Sequence, residues 1–176
     1  MLNQELTKIS IHALVNSGSL ERIGEELIEP DETSVRSVYA TDEFSRWRED
    51  DLPYMESHGR SDLSPDEEVD DFLRRFQLGK SLTDIARLSP TSDGVWEVKL
   101  QQLRLTGWFV ARDELVLAAG EDADALKSPG KPTYGQLRRF TLGQRENLGL
   151  DYVKGDQRDV ISHQTSKPDG SEKGCG

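Results

Sequence analysis

The residues best suited by type to carry chemistry in this 176-residue chain are three histidines, a run of acids, a glycine turn and one cysteine. Their spacing decides against most of it. His12, His58 and His163 fall in a helical pattern, a polar loop and the C-terminal tail, so neither a metal site nor a catalytic dyad is expected. Asp66-Glu67-Glu68 with Asp70-Asp71 could attract a hard cation, but acids in the first turn of a helix already serve its dipole. Gly143-Gln144-Arg145 lies inside a helical pattern rather than after a strand, which removes the common phosphate-binding loops. Cys175 is alone in a Gly/Ser/Lys tail, so an intrachain disulfide is impossible and a reducing compartment fits. No cofactor or metal is expected. Any remaining chemistry falls to charged side chains carried on strands, which makes the elements that position them the next question.

The charge is divided unevenly along the chain. The net formal charge is −11, yet residues 21–71 hold 18 acids against 5 bases, while residues 72–149 hold 9 against 12. An acidic segment of this kind keeps a protein soluble, and it also suits imitation of a nucleic acid or coverage of the basic half of the same chain. Hydrophobic residues at 34% and charged residues at 31% describe a polar globular chain with a compact core. No apolar run approaches a membrane span, and Met1-Leu2-Asn3-Gln4-Glu5 lacks the order of a signal peptide. A cytoplasmic location and no membrane partner are the expectation.

Leu2, Leu6, Ile9 and Ala13 recur at helical spacing and stop at Asn16-Ser17-Gly18, and Ser19 caps a second expected helix carrying Leu20, Ile23 and Leu27 before Pro30. Residues 1–33 thus read as a helical arm. Ser34 to Ala40 reads as a strand, and Thr41 as the cap of a helix presenting Phe44 and Trp47. Residues 50–62 read as a loop. Ser64, Pro65 and Glu67 form a capping-box start for a helix with Val69, Phe72, Leu73 and Phe76 inward and Gly79 at its end. Leu82, Ile85 and Leu88 suggest another short helical piece before Pro90.

From Val95 the period changes to two. Trp96, Val98 and Leu100 alternate with Val95, Glu97 and Lys99, and Leu103, Leu105, Gly107 and Phe109 alternate with Arg104, Thr106, Trp108 and Val110. Arg112-Asp113 turns the chain into a third strand, Glu114 to Ala119, which Gly120 interrupts. A closing helix runs from Thr133 or Tyr134 to Leu148 with Leu137, Phe140 and Leu148 inward, stopped by Gly149. Residues 151–176 read as a disordered tail.

This order of a strand, two helices, an antiparallel meander and a closing helix, together with Asp93-Gly94-Val95-Trp96-Glu97-Val98-Lys99, Leu103-Arg104-Leu105 and Leu115-Val116-Leu117, resembles the RelE/ParE toxin superfamily, particularly its HigB-like members. The resemblance implies an α+β domain over residues 34–150 and metal-independent cleavage of mRNA, usually on the ribosome, or poisoning of gyrase as in the ParE branch, with an antitoxin as a protein partner. It implies Lys99, Arg104, Arg112 and Arg138 as the cations for the phosphorane, and Tyr134 as a stacking or proton-donating group. One departure stands out. Where the family often turns Lys-rich after the third strand, this chain reads Gly120-Glu121-Asp122-Ala123-Asp124. That acidity opposes affinity for phosphates. The alternative expectation is therefore a non-catalytic acidic protein whose residues 21–71 occupy a nucleic-acid-binding surface on a basic host protein.

Overall fold

A computed structural model describes residues 9–162, a mixed α+β fold around one six-stranded, mostly antiparallel sheet. The strands are β1 (Leu20–Arg22), β2 (Ser37–Thr41), β3 (Arg87–Pro90), β4 (Trp96–Lys99), β5 (Leu103–Ala111) and β6 (Glu114–Asp122), in the spatial order β1-β2-β6-β5-β4-β3. Only the β2–β6 pair is parallel. The helices are α1 (Ile11–Asn16), α2 (Asp42–Arg46), α3 (Pro65–Gln77), α4 (Tyr134–Leu148) and α5 (Gln157–Val160).

The period-two pattern sorts the sheet into two faces. Trp96, Val98, Leu100, Leu103, Leu105, Phe109, Leu115 and Leu117 point to one side, where Phe44 of α2 and Val69, Phe72, Leu73 and Phe76 of α3 complete the main core. Phe72, Phe76, Phe109 and Trp96 form a chain of ring contacts at 5.8, 6.2 and 5.4 Å, the last edge-on. On the other side Tyr39, Trp108, Val116 and Ala118 meet Ile11 of α1, Leu20 and Leu150. A bulge sets where the faces exchange: Thr106 opposes Ala119 while Gly107 opposes Leu117, leaving Ala118 as the extra residue on β6. Gly107 is required there, because a Cβ would lie 1.9 Å from the Val116 carbonyl oxygen.

Capping chemistry behaves as the residues dictate. Ser64 and Glu67 close their box on α3, Thr41 caps α2, and Thr133 with Gln136 opens α4, which ends on left-handed Gly149. The β5–β6 connection is Arg112-Asp113, with Asp113 at φ +65, a conformation that aspartate tolerates better than most residues.

Several expectations are corrected. The second helix of the N-terminal arm is instead β1, followed by a single 3-10 turn at Glu25–Leu27. Leu20 and Ile23 are buried in both cases, but three residues with this spacing fit a short edge strand on β2 equally well. The first helix occupies Ile11–Asn16, and Leu2 and Leu6 lie outside the described residues. The piece from Leu82 to Leu88 is a turn leading into β3, and Pro90 is accommodated because β3 is an edge. Residues 50–62 begin with π and 3-10 turns to Tyr54. Gly120 does not interrupt β6; it makes room for Trp47, whose ring would stand 2.5 Å from an added Cβ. Phe140 is exposed rather than inward, and Leu148 is half-buried, while Thr141 and Arg145 are buried on α4. The expected tail is partly folded: Val160 is fully buried and Ile161 nearly so, and the Val153 N–H donates to the Phe109 carbonyl at 2.8 Å. Residues 163–176, with His163 and Cys175, lie outside the described residues. No helix of the described chain is long and apolar enough to cross a membrane.

Candidate functional site

The meander brings three of the five candidate residues to one place. Strand register sets Lys99 beside Arg104 and Glu97 beside Thr106, so these four project from the sheet face on which α4 packs. The α4 helix is fastened there by a buried hydrogen bond between the Thr106 and Thr141 hydroxyls, 2.7 Å apart. Its first turn then overhangs β4, and a cavity of about 400 Å³ opens between them, lined by Glu97, Lys99, Thr106, Tyr134 and Arg138 with Thr91 and Val95 at its end.

The cations of this cavity are held by acids. Lys99 Nζ lies 3.3 Å from Glu97 Oε2. Arg138 donates through Nε to Asp93 Oδ2 at 2.8 Å, through Nη2 to the other Asp93 oxygen, and to Ser92 Oγ at 3.0 Å. The Asp93 carboxyl is held below its ordinary pKa by the Arg138 hydrogen bonds first and the Ser92 hydroxyl next. Tyr134 is partly exposed and lines this cavity.

Arg104 and Arg112 stand apart from this group. Arg104 folds back on its own hairpin, donating through Nη1 to the Leu100 and Leu103 carbonyls at 2.6 and 2.7 Å, with its buried Nε unpartnered. Glu121 is opposite it across the ladder and accepts instead from the Asp122 N–H at 3.0 Å. Arg112 is exposed at the far turn of β5, eight residues along the strand from Arg104 and so about 26 Å away. It shares no cavity with the others.

Sequence reasoning missed Glu97, Thr106 and Asp93 as members of the site. The alternation that placed Lys99 on one face placed Glu97 there too, so that signal was present. Asp93 could be found only by knowing that α4 returns over the turn before β4.

His58 also ends differently from its spacing. His58, Asp122 and Asp124 come together with their ligand atoms within 4.8 Å of one another, a set able to approach a metal ion. The cluster is internally neutralised: His58 Nε2 pairs with Asp122, and Arg60 Nη2 binds Asp124 Oδ2 at 2.7 Å. The hydrogen bond to Asp122 raises the His58 pKa. The loop carrying His58 is pinned further by buried Gln102, whose Oε1 accepts from the His58 N–H at 2.7 Å and from Ser57 Oγ at 2.9 Å, while its Nε2 donates to Glu68. The acids Asp122 and Asp124, at and just after the end of β6 where a basic segment was the family's pattern, are thus structural partners of this loop.

The chain matches no protein-family model, and neither a curated protein nor a solved structure matches it.

Proposed function

We propose that the protein is a RelE/HigB-like, toxin-derived endoribonuclease that cleaves mRNA without a metal ion at the groove between β4 and α4. The observation that carries this reading is the convergence of Lys99, Tyr134 and Arg138 with the Glu97 carboxylate around one cavity. Cleavage by a 2′-hydroxyl needs an acceptor for the hydroxyl proton, cations for the phosphorane and a donor for the leaving oxygen. Glu97 is the acceptor, Lys99 and Arg138 are the cations, and Tyr134 stacks on a base or donates the proton. Arg104 supports the hairpin that presents Lys99, a positioning role. Because Glu97 and Asp93 hold the two cations in the free protein, RNA must compete with them, and activity is expected to be low. Work on the ribosome, where other contacts bind the mRNA, suits such a groove. An antitoxin would be the protein partner in this reading.

The test is mRNA cleavage in a purified translation system, mapped by primer extension, for wild type and a Lys99→Ala/Arg104→Ala variant. Cleavage lost in the variant supports the reading, and absence of cleavage by folded wild type sinks it.

A second reading rests on a different surface. Tyr54 is 84% exposed, and Asp50, Asp51 and Glu56 around it in sequence are exposed as well. An aromatic knob among acids suits a basic host protein, with no cleavage involved. Tight, salt-sensitive binding that weakens on Tyr54→Ala would favour it.

A further inference from the structure

A second cavity is built from segments that do not line the β4–α4 groove. It measures about 770 Å³ and is framed by the chain after α3, the edge strand β3 and α5. Among the described residues four cations line it, Arg36, Lys80, Arg87 and Arg158, and no carboxylate does. In a chain of net charge −11 that is a local reversal of sign.

The four cations divide into a floor and a rim. Arg36 is buried and already committed: Nε to Asp113 Oδ1 at 3.2 Å, Nη1 to the Phe76 carbonyl at 3.3 Å and Nη2 to the Ser162 carbonyl at 3.0 Å. It ties α3, the β5–β6 turn and the C-terminal segment into a rigid base. Lys80 approaches a carboxylate, Glu32, at 3.9 Å. Arg87 and Arg158 are exposed, and their guanidinium groups have no hydrogen bond or ion pair among the described residues. Two unspent guanidinium forks from separate segments, converging on one cavity, are the geometry in which phosphate oxygens are bound in pairs. The remaining wall is apolar: Leu82, Ala86, Leu88 and Ile161. A cavity of this volume, part cationic and part apolar, suits a small molecule with both characters.

We infer that this cavity binds a small phosphate ester of nucleotide size, its phosphates on Arg87, Arg158 and Lys80 and its organic part against Leu82, Leu88 and Ile161. The site is separate from the β4–α4 groove and does not depend on the reading of that groove.

The experiment is isothermal titration calorimetry on the full chain at about 150 mM salt, where surface attraction is largely screened, with ADP and adenosine as probes. ADP should bind saturably and more tightly than adenosine. An Arg87→Ala/Arg158→Ala variant should weaken ADP by about tenfold or more, as expected for loss of charge-assisted hydrogen bonds. Both side chains are exposed, so the circular dichroism spectrum should be unchanged. An Arg46→Ala/Arg60→Ala variant removes the same charge elsewhere and should bind ADP as wild type does. Absence of saturable ADP binding, equal binding of adenosine, or equal weakening in the two double variants would each overturn the inference.

Discussion

Two cavities of this protein are lined by cations that are held in different ways. In the β4–α4 groove each cation has an acid as its neighbour: Lys99 faces Glu97 and Arg138 faces Asp93. In the cavity between the chain after α3, β3 and α5, Arg87 and Arg158 have no acid partner among the described residues. The first arrangement holds charge beside a carboxylate, which is what the proposed cleavage would need. The second leaves charge unspent, which favours affinity. A cation's worth to a ligand depends on what it must release, so counting Lys and Arg along the sequence could not separate the two.

The strongest way to break this comparison is to remove the support of the second cavity's floor. Asp113→Ala takes the carboxylate from buried Arg36 and puts alanine at a positive φ, and it should cost about 3 kcal/mol or more of stability in urea denaturation. A loss under about 1 kcal/mol would mean that Arg36 is not held as described. Next, Thr141→Val deletes the buried hydroxyl pair that fixes α4 over β5. It should cost about 1–2 kcal/mol by leaving Thr106 unpartnered, with the groove's ligand affinity falling in parallel.

A smaller effect tests the role assigned to the acids. Asp93→Asn frees Arg138 and should raise affinity of the groove for a short single-stranded RNA several-fold at low salt, with a steeper salt dependence. Unchanged affinity would show that Asp93 does not restrain that cation. The smallest effect concerns the loop pinned beside β6. The folded-state pKa of His58 is raised, chiefly by its hydrogen bond to Asp122, with Asp124 adding and Arg60 opposing. The pairing is therefore fully present below about pH 6.5 and is lost as pH rises through the folded value. The Tm difference between wild type and His58→Gln should be larger at pH 6 than at pH 9; a difference independent of pH would remove the imidazolium from the account.

What the sequence made legible follows from how local each signal is. The meander was readable because alternation is a local property, and so were the caps at Ser64 and Thr41, which act within a single turn. Lys99, Tyr134 and Arg138 were each visible, and their convergence depended on α4 returning across β4. β1 was misread because Leu20 and Ile23 satisfy a helix and a short strand alike, and pairing with β2, a distant contact, decides between them. The segment 151–162 was misread for the same reason: its composition is that of a tail, yet Val160 and Ile161 fill the core edge while its backbone pairs with Asp113. Arg158, one of the two unspent cations, stands on that segment, so the second cavity could not be found without it.

The claim that the β4–α4 groove is a phosphodiester-cleaving site is tested most directly by Glu97→Gln in the ribosome-dependent mRNA cleavage assay. The substitution keeps size and hydrogen bonding and removes the base, so cleavage should fall by about 100-fold or more with Lys99 still in place. A Glu97→Gln protein that cleaves as wild type does would contradict the assignment.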